Sequence, residues 1–474
     1  MTSRVPWIAI TSPAAAGTAS SIVARMAAAR IARTMAGECR DCPGRPDGRG
    51  TPLPSSLPMD HELTTLPNGL RVITEAMPSV RSIAVGAWVD TGSRDEAVPE
   101  AGCSHFLEHL LFKGTAELSA QAIAEAFDAV GARSNAFTSK EYTCFWAQLR
   151  DEDLPMGLGL LAEMLQRPAF RPDEVESEHH VVLEEINMND DDPSDVAHDQ
   201  FAAALWGEHV LALPVLGTRE SISAMTPDII AGYWKRRYHP ATVVVAASGN
   251  LEHASFVDLV SSRFDEWSGS TADHEFIRPA ITSNVKVVPR DTEQAHLVIG
   301  SEGLDRADDR RFSFGILNHV LGGGMSSRLF REIREERGLA YAVYSFRMPY
   351  ADSGAFGVYV GTTPHQTAQV LELVREQFAK VAAEGITLDE LDRAKGYTKG
   401  SLALSMEDTN SRMVRLGRHE LTGVEHLSLD ETVARIDAVT LQDVHGVASE
   451  VLDGPFVIGA VGPFDALDLS RHVA

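Results

Sequence analysis

The sequence predicts an α+β fold made of two homologous α/β-layer domains related by internal duplication. Three observations predict it. Strand-like and helix-like stretches alternate, with hairpin signals among them. A helix-then-strand segment recurs: Met225-Thr-Pro-Asp-Ile leads to Thr242–Gly249, and about 214 residues later Val439-Thr-Leu-Gln-Asp leads to Phe456–Gly462. At nearly that offset, Glu108-His-Leu-Leu lies over Asn318-His-Val-Leu, and Asp173-Glu-Val-Glu over Asp389-Glu-Leu-Asp. The repeat places one domain over residues 59–268 and the second over 285–474. Residues 269–284 (Gly-Ser-Thr-Ala-Asp, then Arg-Pro-Ala) read as an exposed linker, and residues 1–58 as a disordered extension biased to Ala, Arg, Pro and Gly.

Ordered structure is expected from near His61. Asn68-Gly69, between Thr64–Leu66 and Leu70–Thr74, is a strong hairpin signal. Ser82–Val89 reads as a half-buried strand, followed by a turn at Thr91-Gly92-Ser93. A helix carrying His105 follows, then one over Ala120–Val130 closed by Gly131. Ser134–Thr138 and Thr143–Leu149 read as strands, and Pro155–Gln166 and Asp173–Met188 as helices, the last followed by an acidic turn at Asn189–Asp195. A helix ending near Arg237 leads into the apolar strand Thr242–Ser248.

At 474 residues, with 44% hydrophobic and 23% charged residues, the chain can bury large cores in more than one domain. A net charge of -25 argues against nucleic-acid binding and favours cationic partners or substrates. No run of 18 apolar residues exists, so no membrane span is expected. Cys39 and Cys42 form a lone C-x-x-C, and Cys103 and Cys144 lie far apart, which indicates neither a disulfide framework nor a zinc ribbon. Residues 1–37 carry four arginines and no acid, the composition of a presequence bound for the mitochondrial matrix. Only 7 of the 42 basic residues are lysine, however, which suits GC-rich coding. The reading preferred is a bacterial cytoplasmic protein whose natural first residue is Met59.

The chemistry points to Gly102–Gly114. His105 and His109 stand four apart in a segment whose Phe106, Leu107, Leu110 and Leu111 suit a buried helix, so both imidazoles project from one face. Glu108 shares that face. Two imidazoles and a carboxylate among apolar residues need something cationic to satisfy them. H-x-x-E-H is the inverted form of the H-E-x-x-H metalloprotease helix, and about 0.05 chance matches are expected in a chain of this composition. Two hydrogen-bonded core histidines would give the same pentapeptide, so a third ligand decides. On Glu174–Met188 the apolar stripe is Val175, Val182 and Ile186, and Glu178 and Glu185 fall on it. Glu184 lies off the stripe, which makes Glu185 the preferred ligand. An amphipathic helix with an acidic rim would share this pattern. In the second copy Gly315, Asn318 and Ser401 stand where the first has His105, Glu108 and Glu185, and His319 alone survives. Chemistry is therefore expected in the first half only. Gly322–Gly324 lacks the G-K-[ST] ending of a phosphate loop.

His105-Phe-Leu-Glu-His109 with Phe112-Lys-Gly-Thr115, Asn135-Ala-Phe-Thr-Ser-Lys-Glu-Tyr-Thr143, Glu178 to Glu185, Gly322-Gly-Gly-Met-Ser-Ser-Arg-Leu-Phe330 and Arg334 to Tyr341 together resemble the pitrilysin–insulinase family of zinc peptidases, the inverzincins. The chain is most similar to the branch of the mitochondrial processing peptidase β subunit and its bacterial relatives, over residues 62 to 465. The resemblance implies one zinc ion per chain on His105, His109 and Glu185, with Glu108 as catalytic base and Glu178 supporting a ligand. It implies that Asn135 and Ala136 lie on the edge strand to which a peptide adds, and that Arg334 and Tyr341 reach the active site from the second domain. It further implies a zinc-dependent endopeptidase acting on unfolded peptides or presequence-like segments. The chamber would be clam-like, closed by a homodimer or by a heterodimer with an inactive homologous chain. A non-catalytic partner subunit is the alternative, its mark being a broken H-x-x-E-H, which is absent here.

Overall fold

The computed structural model describes residues 61–269, 276–282 and 284–473. The expected extension over 1–58, with Cys39 and Cys42, and residues 270–275 and 283 of the expected linker lie outside the described residues.

The first sheet starts at the hairpin. β1 (His61–Thr65) pairs antiparallel with β2 (Arg71–Ala76) through a turn in which Gly69 takes φ +92° and the Leu66 N–H donates to Leu70 O at 2.8 Å. Asn68 anchors that turn, its amide donating to Phe264 O at 2.8 Å. β3 (Ser82–Val89), β4 (Arg133–Thr138), β5 (Thr143–Arg150) and β6 (Val243–Gly249) complete the sheet in the order β1-β2-β6-β3-β5-β4. The second sheet comprises β7 (Val285–Pro289), β8 (Ala295–Glu302), β9 (Ala340–Pro349), β10 (Gly354–Thr362) and β11 (Val457–Gly462), in the order β7-β11-β8-β10-β9. Apart from β1 the two orders are the same. In each sheet one pair is parallel, β2 with β6 and β7 with β11, and the other pairs are antiparallel. The α+β class and the duplicated architecture are thus observed.

Each sheet is covered on one face by helices of its own half. Phe106, Leu107, Leu161, Val182 and Tyr233 pack there against Val85 and Phe145 in the first half. The opposite face is covered by a helix from the other half. Thr409–Thr422 lies on β2, β3 and β6, where Met413, Val414 and Leu416 join Trp88 and Val244 in one core. Pro193–Trp206 lies on β7, β8 and β11, with Phe201 and Trp206 against Val298 and Val461. Covering on both faces is why Val243–Gly249 is buried at every position and reads as a continuous apolar run. Two glycines permit the close approach: a Cβ on Gly417 would collide with the Trp88 indole, and one on Gly459 with the backbone of Phe201.

One expected element differs. The acidic turn over Asn189–Asp195 is not formed, because the helix beginning at Pro172 continues to Asp191 and the next begins at Pro193. Pro193 disfavours the helical conformation at Asp192, which adopts φ -90° and ψ 107°. The Asp192 carboxylate then accepts the Ser194 N–H at 2.8 Å and starts the new helix. High local charge read as a turn; only one residue breaks the helix.

The crossing helix makes Gly417 a sensitive position. Gly417→Ala should destabilise the protein by about 1–3 kcal/mol through overpacking against Trp88. Gly396→Ala, in the helix Leu388–Ser405 where an added Cβ meets nothing within 4 Å, should instead stabilise it by about 0.5–1 kcal/mol. Urea unfolding midpoints of the two variants check this, and equal shifts would contradict the packing described.

Candidate metal centre

The helix Cys103–Leu111 presents the two histidines. It starts at Gly102 (φ +90°), which has no side chain to cap it. Glu96 supplies the cap from six residues upstream: its carboxylate accepts the N–H groups of Gly102 and Ser104, both at 2.7 Å. Burial pushes the Glu96 carboxyl up to about 8 despite those bonds. The Ser104 hydroxyl is hydrogen-bonded to the Tyr233 hydroxyl at 2.8 Å. Phe106, Leu107, Leu110 and Leu111 are all buried, so the helix cannot rotate, and the rings of His105 and His109 meet edge to face with centroids 4.7 Å apart.

The helix Pro172–Asp191 brings the third group. Val175, Val182 and Ile186 are buried against the first core, and this turns Glu178 and Glu185 towards the histidines. Glu185 Oε2 stands 3.5 Å from His105 Nε2 and 3.4 Å from His109 Nε2. Glu178 Oε2 lies 3.1 Å from His109 Nδ1, and its other oxygen pairs with Lys113 Nζ at 2.6 Å. Glu184 is exposed and is hydrogen-bonded to Asn187 instead. Among the described residues, His105, His109 and Glu185 are the one set of three such side chains whose ligand atoms all lie within 4.8 Å of one another.

The donor set fits a metal ion. Zinc takes imidazole nitrogen and carboxylate oxygen at about 2.0–2.2 Å, and a tetrahedron of that size has edges of roughly 3.3–3.6 Å. The observed 3.4 and 3.5 Å match those edges. Glu185 Oε2 is buried within ion-pair distance of both imidazoles, an arrangement that suits a shared cation. The electrostatics agree. Burial pushes the His105 imidazole down to about 4, so it is a neutral donor at pH 7. Burial pulls on His109 in the same sense, but the Glu178 and Glu185 carboxylates overcome it and hold that ring up at about 9. The two carboxylates thus favour a positive charge beside His109.

Glu108 is buried beside them. Burial raises its carboxyl above the usual range, opposed by the hydrogen bond it accepts from Thr138 Oγ1 at 2.7 Å. Thr138 ends β4, the outermost strand of its sheet, which also carries Asn135 and Ala136. The Ala136 N–H donates to Asn135 Oδ1 at 2.9 Å. Arg334 and Tyr341 are brought to each other. The Arg334 guanidinium lies 4.5 Å from the centre of the Tyr341 ring, and Tyr341 is 74% exposed.

In the second half the equivalent space is filled. The Arg347 guanidinium comes within 3.5 Å of where a Cβ on Gly315 would be, and His319 stacks on Tyr397 with ring centroids 4.1 Å apart. Sequence reasoning missed Glu96, Lys113 and Thr138 as parts of the site. Lys113, four residues past His109 and just beyond the helix end, was open to spacing arguments, whereas the Thr138 and Glu96 contacts arise only on folding.

Residues 71–219 match the model of the insulinase family, peptidase family M16, and residues 224–397 match that of the peptidase M16 inactive domain. An uncharacterized zinc protease of Streptomyces coelicolor is 45% identical over 419 residues, 86% of this chain and 91% of that protein. Another, of Bacillus subtilis, is 41% identical over 399 residues, 84% of this chain and 97% of that protein. Two solved structures share the fold at 23% identity and a TM-score of 0.79. One is a peptidase M16 inactive domain from Pseudomonas fluorescens (86% of this chain, 98% of that one), the other a protease from Helicobacter pylori (85% and 100%). No described helix is long and apolar enough to cross a membrane. With 84–86% of its length matched by relatives named zinc proteases and both family models matched in turn along it, the chain belongs to the insulinase family of peptidases, family M16.

Proposed function

We propose that the protein is a zinc-dependent endopeptidase acting on unfolded peptides or presequence-like segments. His105, His109 and Glu185 hold one zinc ion, and Glu108 is the base. The chemistry belongs to residues 59–268, with 269–284 as linker and 285–474 as a repeat that holds no metal. The observation that carries this reading is the buried Glu185 oxygen 3.4–3.5 Å from two imidazole nitrogens. Bound there, zinc supplies Lewis-acid chemistry, polarising the scissile carbonyl and acidifying water.

The remaining work falls to the chain's own side chains. Glu108 takes the proton of the attacking water on its carboxylate and returns it to the leaving amide nitrogen. Its raised affinity for a proton suits both halves of that task. Glu178 orients His109 through Nδ1, and Lys113 fixes Glu178 in turn. β4 receives an extended peptide at its open edge, Asn135 and Ala136 lying on the docking stretch, so main-chain bonds give affinity with little demand on sequence. Arg334 and Tyr341 are assigned to the developing oxyanion by family resemblance, supported by the exposed Tyr341 side chain.

Two tests follow. Glu185→Gln should weaken zinc retention at least about 100-fold, while Glu184→Gln should leave it unchanged, as read by metal content after dialysis against graded chelator. The reverse pattern would move the ligand by one residue. Glu108→Gln should keep zinc and the unfolding midpoint but lose roughly 10²–10⁴-fold in turnover of an unstructured peptide, which should remain bound and detectable by mass spectrometry. Unchanged turnover with no peptide retained would defeat the peptidase reading in favour of an inert partner subunit.

A further inference from the structure

We infer that Thr138 is a positioning residue for Glu108: the strand that receives the peptide also aims the base. The inference rests on the reading of Glu108 as base. Among the described residues the Thr138 hydroxyl is the one side chain hydrogen-bonded to Glu108, donating to Oε2 at 2.7 Å. A carboxylate on a flexible side chain can rotate about its last bond. A short bond from a fixed hydroxyl, supported by a weaker contribution from the Thr138 main chain, restricts that rotation.

Thr138 is a fixed donor because its hairpin is clamped on every side. The turn between β4 and β5 closes on itself, with the Ser139 N–H donating to Tyr142 O at 2.8 Å. The N–H groups of Ser93 and Arg94 donate to Ser139 O and Lys140 O at 3.1 and 2.7 Å, and Lys140 Nζ donates to Leu213 O. Glu141, three residues past Thr138, is 5% exposed. Its carboxylate accepts from Arg94 at 2.7 Å, from Arg306 at 2.5 Å and from the Ala351 N–H at 3.0 Å. Arg94 also pairs with Asp352 at 2.7 Å.

Arg306, Ala351 and Asp352 belong to the second half, and the last two lie in the β9–β10 turn. That turn is the structural counterpart of the β4–β5 turn, since β9 and β10 occupy the places of β4 and β5 in the second sheet. The two equivalent hairpin tips are therefore joined through a buried ionic cluster. The half without metal ligands contributes to the site by holding the tip of the hairpin on which Thr138 stands. A buried, multiply bonded carboxylate of this kind is strongly destabilising to break, so the tip is rigid. Rigid support of the first groups is what keeps a reacting carboxylate within the tolerance catalysis needs, where a misplacement of about 1 Å can cost about 100-fold.

The test uses the full chain with zinc bound and an extended peptide as substrate. Thr138→Val keeps shape and removes the hydroxyl; Thr138→Ser keeps the hydroxyl. The Val variant should lose about 10–100-fold in kcat with KM within about 2-fold, and with zinc content and unfolding midpoint unchanged. The Ser variant should recover most of the loss. In the Glu108→Gln background, Thr138→Val should add nothing further, because a positioning residue has no effect once its base is gone. Full kcat in the Val variant, a loss confined to KM, a loss of zinc or of stability, or an additive loss in the double variant would each overturn the inference. If Glu108→Gln alone keeps full turnover, the base assignment fails instead, so the two failures are distinguishable.

Discussion

Two imidazoles and a carboxylate, one buried and two half-buried, converge on a single point, and the placement of two helices of the first half brings them there. Their convergence depends on two helices that cannot turn. The helix carrying His105 is apolar on the faces that meet the sheet and is capped at its start by a buried carboxylate rather than by its own first residues. The helix carrying Glu185 is fixed by Val175, Val182 and Ile186, whose spacing sets which acids point inward. Displacing either helix by one residue would bring Glu184, or no acid, to the imidazoles. The polar cluster then directs its own supports, with Lys113 held against Glu178 and Glu178 against His109.

The duplication shows how one fold carries chemistry in one copy and not in the other. Strand order and the single parallel pair are the same in both sheets, so the scaffold does not depend on the metal ligands. Where ligands are missing, the second copy fills the space with larger groups: Arg347 beside Gly315, Tyr397 on His319. Each copy also lends a helix to the far face of the other sheet, so neither sheet has both faces covered without its counterpart. The copies are distinct in sequence and interdependent in packing.

Local signals carried much of this into the sequence. The turn at Asn68-Gly69 and the bounds of the strand Ser82–Val89 follow from residue chemistry within a few positions and agree with the structure, although the strand expected to be half-buried is buried at all but its first residue because helices cover both faces of its sheet. The break at Asp192 was misplaced because a dense run of acids obscured a proline that sets the boundary. The two crossing helices were not recognisable as such, since an amphipathic stripe does not state which sheet it will meet. The Glu96 cap and the Thr138 contact were hidden for a similar reason. They join residues 6 to 30 positions apart through folding, and no periodicity encodes them. The ionic cluster at the hairpin tips spans 258 positions at its longest and lay furthest beyond reach.

Everything proposed for the site depends on a metal ion at the meeting point of His105, His109 and Glu185. X-ray absorption at the zinc edge on the purified full chain, together with metal quantification, addresses that directly. The result consistent with the geometry is one zinc per chain, bound by two imidazoles and at least one carboxylate at about 2.0–2.2 Å, with no sulfur ligand. Zinc held by sulfur, two zinc ions per chain, or full peptide hydrolysis by protein stripped of metal would contradict it.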